Sequence, residues 1–269
     1  MAETQAGSVL VVVAHPDDEL FVSGTLCLCA DKGFEITLVC LTDGEGAVAA
    51  SGPAGRRRGE LERSALNLGV KKVVFLGFPD VGAPSVTNDP VWDEQRLARQ
   101  LGAIILDEKP ALILTHGPRG GYGHPAHRWA HQGAMAAAEA TAYPGSLFSF
   151  CGRVPQAFFS WHFEGESAVL IDARPFLARR AASLDFHQSQ IDFFVQPHRP
   201  RSLRKLMSAM FGYLFVWTEA GRKRSPIGTA RRFFERFPVE GLMVQRAPRE
   251  RSHFFAEHFA DDPRVTIAR

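Results

Sequence analysis

The sequence lacks any apolar run of the roughly 20 residues that a membrane-spanning helix requires. Its first strongly apolar segment, residues 9–14, is much shorter than that. The residues before this segment are polar and contain no basic stretch, so they do not resemble a secretory signal. We therefore predict a cytoplasmic protein without an integral membrane segment.

The sequence also has few cysteines and a small net charge. The chain has four cysteines, Cys27, Cys29, Cys40 and Cys151, and no CxxC pair. This spacing favours a reducing compartment over a disulfide framework, and we interpret the four thiols as core residues. A formal net charge of +2 is too small to indicate a nucleic-acid partner.

A regular alternation of apolar segments fills the first half of the chain. The β-branched run at 9–14 predicts a strand buried on both faces, and a helix pattern at 20–32 follows it. Further strands are predicted at 35–41, 73–78 and 111–115, with helices at 59–68, 92–108 and 124–140. We therefore predict an α/β fold with a Rossmann-like, doubly wound, mostly parallel sheet and helices on both faces.

The second half is less regular. It predicts a strand pair at 156–163 and 168–172, a helix at 175–194 and another helix at 202–220. We expect residues 1–195 to form the main domain and residues 196–269 to form a C-terminal helical extension packed on it. The extension is rich in arginine and lysine, which we interpret as a solvated face and not as an anion or membrane contact.

Two polar clusters follow predicted strands. His15, Asp17 and Asp18 come directly after the first strand, and His124 and His127 begin the helix after the fourth. Ligands of doubly wound sheets bind at the carboxyl ends of the strands, so we expect the two clusters to meet there. Imidazole and carboxylate groups are suitable zinc ligands, and three protein ligands are typical of a catalytic site. From the residues alone, His15, Asp18 and either His124 or His127 complete that number, which leaves Asp17 free to act as a base.

Three other histidines have weaker signals. We interpret His131 as an exposed residue or a neighbour of the site, not as a ligand, and His116 as a hydrogen-bonded structural residue. His187 follows a helix pattern, and the sequence does not decide between helix packing and pocket lining.

The ordered motifs resemble those of the PIG-L/LmbE-like deacetylases, a family that includes bacterial N-acetylglucosaminyl deacetylases of mycothiol and bacillithiol biosynthesis. The resemblance covers residues 9–190, so the predicted domain 1–195 is similar to an LmbE-like deacetylase domain. The matching segments are Ala-His-Pro-Asp-Asp-Glu at 14–19, Thr-Asp-Gly-Glu-Gly at 42–46, residues 57–61, Leu-Gly-Val at 68–70, residues 75–80, residues 120–127 and His-Gln-Ser-Gln at 187–190.

This resemblance implies zinc ligation by His15, Asp18 and His127 and a general-base role for Asp17. His124 would help to polarise the carbonyl or protonate the leaving amine. Zn²⁺ is the expected cofactor, although Fe²⁺ or Co²⁺ suits the same ligands.

The resemblance also matches Tyr122 to a mobile tyrosine near the oxyanion, and Arg57 and Asp80 to positions that contact the sugar. One residue departs from the family pattern: Ala126 stands where an aspartate commonly orients the first histidine of the second cluster. We expect either a less basic His124 or replacement of that aspartate by Asp43 or Glu45.

The expected reaction is hydrolysis of an N-acyl group, usually acetyl, from an amino sugar or an N-acetylglucosamine conjugate. Two alternatives stay open. One is an amidase for a thiol conjugate or a longer acyl chain. The aromatic residues at 158–163, 193 and 194 would line the pocket of such an enzyme if they are not core residues. The other is a catalytically weak sugar-binding protein. The expected partner is a small amino-sugar substrate, and the sequence leaves a homo-oligomer open.

Overall fold

Eight strands form a single sheet in the part of the chain described by the computed structural model, which covers residues 7–46, 55–80, 92–121, 123–150, 167–191, 226–235, 237–248 and 253–268. The strands are Ser8–Val13 (β1), Glu35–Thr42 (β2), Lys72–Phe78 (β3), Leu112–Thr115 (β4), Ser146–Phe150 (β5), Val169–Asp172 (β6), Val239–Arg246 (β7) and Val265–Ile267 (β8). The helices are Ser23–Asp31 (α1), Arg56–Leu68 (α2), Glu94–Glu108 (α3), Pro125–Ala140 (α4), Leu177–Phe186 (α5), Pro226–Glu235 (α6) and Phe254–His258 (α7).

The sheet order is β3-β2-β1-β4-β5-β7-β6-β8. Strands β1 to β5 pair in parallel, whereas β7 pairs antiparallel with β5 and β6, and β8 pairs antiparallel with β6. The predicted Rossmann-like, mostly parallel sheet is therefore confirmed.

Strand β1 contributes to the core on both faces of the sheet. Val9, Val11 and Val13 pack in one apolar cluster with residues of α1 and α2, while Leu10 and Val12 pack in a second cluster with residues of α3 and α4. Successive side chains of a strand point to opposite faces, so a strand covered by helices on both sides must be apolar throughout. This explains why the run at 9–14 shows no polar alternation.

The chain reverses its direction of travel across the sheet between β1 and β4. It moves from β1 to β2 and β3 on one side, and α3 then returns it to β4 on the other side. The segments that leave β1 and β4 diverge at this point and open a crevice at the carboxyl ends of the two strands. Both polar clusters predicted from the sequence begin there.

The C-terminal region differs from the predicted helical extension. Its described residues include α6 and α7, but β7 lies between β5 and β6 in the main sheet, and β8 forms the edge beside β6. The predicted helical extension of residues 196–269 is therefore wrong at these two segments, which are strands of the main sheet. Strand β7 contains Glu240 and Gly241, residues disfavoured in strands, and this weakens its sequence signal.

Other predictions for the second half have mixed outcomes. The strand predicted at 168–172 is present as β6, but the helix predicted at 175–194 begins with a 3₁₀ turn, Arg174–Phe176, and α5 ends at Phe186. Residues 156–163 and 202–220, Cys151 and the basic residues of 199–224 lie outside the described residues. Cys27, Cys29 and Cys40 are buried free thiols, as predicted. No helix among the described residues has the length and apolar character needed to cross a membrane.

Candidate active site

The turn after β1 holds Asp17 in an unusual backbone conformation. Asp17 has a φ of 110°, in the left-handed region that non-glycine residues seldom adopt. Burial raises the pKa of its carboxyl group to about 6, although the Arg57 guanidinium, 3.1 Å from Oδ2, acts in the opposite direction. A carboxyl group with such a pKa can accept and return a proton near neutral pH.

Asp18 is buried at the centre of the polar cluster. Its Oδ2 atom accepts the backbone N–H groups of His15, at 2.7 Å, and Ala14, at 3.2 Å. Nε2 of His127 lies 3.2 Å from Oδ1, and Nε2 of His116 lies 3.2 Å from Oδ2. Burial alone would raise the pKa of Asp18, but the two imidazoles hold it well below the usual range. Asp18 is therefore an ionised carboxylate that can face a cation.

His15 lies between two carboxylates. Its Nδ1 atom is 3.4 Å from Asp18 Oδ2, and its Nε2 atom is 3.7 Å from Asp80 Oδ1. Burial acts to lower the pKa of His15, but these neighbours, with Asp17, raise it above the ordinary value. The same negative surroundings favour a bound cation.

The glycine-rich loop before α4 sets the orientation of His127. Gly120 has a φ of +72°, and a Cβ atom there would lie 2.5 Å from the carbonyl oxygen of His124, so a side chain does not fit. The carbonyl of Gly120 lies 3.2 Å from Nδ1 of His127, which places a donating N–H there. The other ring nitrogen, Nε2, then faces Asp18, an arrangement typical of histidines that bind metal ions.

His124 is the N-cap residue of α4. Its Nδ1 atom accepts the backbone N–H of Ala126 at 3.3 Å, so a neutral ring carries its proton on Nε2. Burial, together with the neighbouring His127 and His15 rings, lowers the pKa of His124 to about 2. His124 is thus a poorly basic imidazole, and the cause lies in its surroundings and not in the missing aspartate alone.

Two overlapping sets of side chains can hold a metal ion. The potential ligand atoms of His15, His124 and His127 all lie within 4.8 Å of one another, and so do those of Asp18, His116 and His127. Imidazole nitrogens and a carboxylate oxygen are the donors that zinc and similar divalent ions bind. His127 belongs to both sets, and Asp18 lies beside His15 and His127.

His116 packs against this cluster, and His131 contacts His116. The His116 ring stacks on His127 with centroids 3.9 Å apart, and its Nε2 atom lies 3.3 Å from the backbone nitrogen of Ala14. Burial lowers the pKa of His116 to about 3. His131 is buried, not exposed, and its Nδ1 atom lies 3.0 Å from the carbonyl oxygen of His116. These contacts hold His116 in place beside Asp18 and His127.

The two residues matched to sugar contacts occupy different surroundings. Arg57 is buried, and its guanidinium donates to the carbonyls of Gly44 and Pro16 as well as to Asp17. Asp80 lies beside His15 and also accepts the N–H of Gly46 at 3.2 Å. Asp80 therefore borders the cluster directly, whereas Arg57 contacts it through Asp17. Tyr122, the third residue implied by the resemblance, lies outside the described residues.

An open cavity of about 170 Å³ adjoins the cluster at Asp80. The loop after β2, the end of β3 and the loop that follows β3 form it. Its lining residues are Asp43, Glu45, Gly77, Phe78, Pro79 and Asp80. Three carboxyl groups and one aromatic ring give this cavity both polar and apolar walls. Asp43 also lies 3.4 Å from Arg58 at its outer side.

Sequence reasoning did not assign a role to Glu19. This residue is fully buried, and its carboxylate contacts His187, Ser64 and the backbone N–H of Asp17. The available signal was its place in the 14–19 motif, where an acidic residue directly follows the two aspartates. Its partner His187, undecided from the sequence, is also fully buried.

Comparisons with known proteins identify a family for this chain. A family model described as "PIG-L: GlcNAc-PI de-N-acetylase" matches residues 10–138. The chain is 33% identical over 212 residues to 1D-myo-inositol 2-acetamido-2-deoxy-alpha-D-glucopyranoside deacetylase 2 of Catenulispora acidiphila, covering 68% of this chain and 69% of the relative. Three further deacetylases of the same description are 37–38% identical and are matched over only 56–58% of their length.

Solved structures with the same fold have more varied activities. The chain resembles a 4-carboxy-2-hydroxymuconate hydratase from Pseudomonas putida with a TM-score of 0.57 and 20% identity, over 92% of this chain and 99% of the other. It also resembles the N,N'-diacetylchitobiose deacetylase of Pyrococcus horikoshii with a TM-score of 0.52 and 22% identity, over 88% and 83% of the two chains. At these sequence identities, structural similarity establishes only the fold, and the evidence for the chemistry comes from the site residues.

Proposed function

The chain belongs to the PIG-L family, and we propose that it is a metal-dependent N-deacetylase that releases acetate and a free amine from an N-acetylglucosamine conjugate. The observation that carries this proposal is the position of Asp17 beside the buried cluster of His15, Asp18, His124 and His127. Two relatives that are 33% identical to this chain over the aligned residues are named as deacetylases of such a conjugate.

We assign the metal ion, with zinc as the expected element, to His15, Asp18 and His127. His124 is the weaker candidate because its Nδ1 atom accepts an N–H group and its Nε2 atom then carries the proton. A divalent ion held by the three ligands would supply a Lewis acid that polarises the acyl oxygen and lowers the pKa of a water molecule.

Asp17 and His124 supply the proton chemistry. Asp17 accepts a proton from the attacking water, and the same carboxyl group can return that proton to the amide nitrogen as the C–N bond breaks. The Nε2–H group of His124 donates a hydrogen bond to the oxygen that becomes negatively charged, a contribution of roughly 3 kcal/mol where donor and oxyanion are well aligned. In this scheme His124 stays neutral throughout, which suits its low pKa.

The proposal is tested by incubating the zinc-loaded protein with N-acyl glucosamine derivatives, including an inositol conjugate and derivatives with longer acyl chains or thiol aglycones. We expect acetate and the free amine by mass spectrometry, loss of turnover with a chelator and recovery with Zn²⁺. Asp17→Asn should keep its metal and lose at least 100-fold in rate. Preferred release of a longer acyl group would replace acetate in the proposal, and metal-loaded protein inert toward every amide would overturn it.

A further inference from the structure

Glu19 and His187 form a buried ion pair next to the turn that carries Asp17, and the chemistry described above uses neither of them. Both side chains are 0% exposed. Nε2 of His187 lies 2.6 Å from Oε1 of Glu19, although 168 positions separate the two residues. A pair this deeply buried requires a close geometric fit to offset the loss of hydration.

The Glu19 carboxylate joins three separate parts of the fold. Oε1 contacts His187, which follows α5, and accepts a hydrogen bond from Ser64 of α2. Oε2 accepts the backbone N–H of Asp17 at 3.0 Å. The carboxylate therefore ties the backbone of Asp17 to two helices from distant parts of the sequence.

This contact bears on the strained conformation of Asp17. A non-glycine residue stays in the left-handed region only where its surroundings impose that conformation. The N–H group of Asp17 points to Glu19, while its carboxylate contacts Arg57 from α2. The Pro16–Asp17 peptide unit is held at two ends, because Glu19 accepts its N–H group and Arg57 donates to its carbonyl oxygen. Loss of the Glu19 contact would release one end, and the direction of the Asp17 carboxylate would change with it.

His187 is not explained by helix packing alone. In the part of the chain that the structure describes, its Nδ1 atom is buried and has no hydrogen-bond partner. If residue 187 served only to pack against the helix, an apolar side chain would give a more stable fold than histidine, since buried polar atoms without partners are destabilising. The contact from Nε2 to Glu19 is the interaction that the imidazole supplies and an apolar residue would not.

We propose that Glu19 and His187 are positioning residues that hold the backbone of Asp17 in its left-handed conformation and thereby direct its carboxylate into the metal-binding cluster. The proposal deepens the proposed function and rests on it, because it takes Asp17 as the base. It also gives a role to His187, the first residue of the segment at 187–190, which lies far along the chain from the other site residues.

A double-mutant cycle tests the proposal. His187→Ala should lower kcat by 10- to 100-fold with little change in KM, because substrate contacts are intact and the base is misdirected. In an Asp17→Asn background, which lacks the base, His187→Ala should cause no further loss. Equal losses in the two backgrounds would overturn the proposal, since they would indicate a general effect on the fold.

Two further variants separate positioning from stability. His187→Gln retains a donor toward Glu19 and should recover most of the lost kcat. The matched control is Asn67→Ala, which removes hydrogen bonds from α2 to Arg179 and Ser183 of α5 without touching Glu19. It should lower thermal stability and leave kcat unchanged. If His187→Ala does not fold, Glu19→Gln takes its place in the cycle.

A crystal structure of the metal-loaded His187→Ala protein provides a readout independent of activity. We expect the φ of Asp17 to leave the left-handed region while the metal ligands stay in place. A parent protein that deacetylates nothing would refute the proposed function and leave this readout valid. An unchanged Asp17 conformation would overturn the positioning role itself.

Discussion

Arg57 donates a hydrogen bond to Oδ2 of Asp17 over 3.1 Å, and the same guanidinium donates to the carbonyl oxygen of Gly44 at 2.7 Å. The loop after β2 therefore packs closely against Arg57, the residue that contacts the proposed base, Asp17. Gly44 permits this approach because a Cβ atom at its position would lie 2.6 Å from Arg57 Nη1.

Gly44→Ala should therefore displace Arg57 and lower kcat at least tenfold. Gly33→Ala is the matched control, because Gly33 also has a positive φ, +84°, but a Cβ atom added there would meet no atom within 4 Å. Both variants should lose about 1 kcal/mol of stability through backbone strain. Steady-state kinetics and urea unfolding distinguish the two effects. Full activity of Gly44→Ala would contradict the role of this contact.

The metal content of histidine variants tests the ligand assignment. His15→Ala and His127→Ala should each bind less than about a tenth of the metal bound by the parent, as expected for loss of one of three protein ligands. His124→Gln should retain nearly one equivalent, because His124 is assigned as a hydrogen-bond donor. Elemental analysis after dialysis measures this, with His258→Gln as the control, because His258 is exposed and lies outside the cluster. If His124→Gln loses the metal and His15→Ala retains it, His124 is the metal ligand and His15 is not.

Much of the fold and the clustering of the candidate site residues could be predicted from the sequence because their signals are local. The run at 9–14 is apolar on both faces, and the clusters at 15–18 and 124–127 directly follow the strands that position them. The rule that parallel strands present their carboxyl ends at one edge then brings the clusters together.

The remaining features depend on contacts between distant positions, which a single sequence does not reveal. Glu19 meets His187 across 168 positions, and Glu240 meets Gly24 across 216. In the sequence, Glu240 weakens a strand pattern, whereas in the structure it is a buried acceptor. The role of a buried charge becomes clear only when its partner is known.

Glu240 stabilises the beginning of α1 from strand β7. Its carboxylate accepts the N–H groups of Gly24 and Thr25 at 2.7 and 2.8 Å, and it lies 3.3 Å from Nη2 of the buried Arg180. The carboxylate thus satisfies backbone donors at the positive end of the helix dipole and neutralises a buried guanidinium.

Glu240→Gln should lower the free energy of unfolding by about 3 kcal/mol, because it leaves Arg180 without its counter-charge in the interior. Glu235→Gln is the control, since its contact with Arg231 is exposed and should contribute less than about 0.5 kcal/mol. Urea unfolding of the metal-saturated proteins measures both. A loss for Glu240→Gln as small as that of the control would mean that the pair adds little to stability.

Asp262 connects the segment after α7 to the residue that precedes β8 and to the residue that follows α1. Its carboxylate accepts hydrogen bonds from Nε and Nη2 of Arg264 at 2.9 and 2.7 Å, and Lys32 Nζ lies 3.6 Å away. The hydrogen bonds from Arg264 hold the pKa of Asp262 well below its usual range. Because the pKa is lower in the folded than in the unfolded state, the ionised form stabilises the fold.

Asp262→Asn should therefore destabilise the protein at pH 7 by about 1 kcal/mol, a modest value because Arg264 and Lys32 are partly exposed. The stabilisation is complete above the unfolded pKa of about 3.9 and is lost as the pH falls below it. The difference between parent and variant, measured by urea unfolding from pH 7 down to about pH 3, should shrink accordingly. In an Arg264→Met background only the partly exposed Lys32 remains as a counter-charge, so the substitution should have a smaller effect at every pH. A difference that stays constant across this range would show that the contact contributes through packing and not through charge.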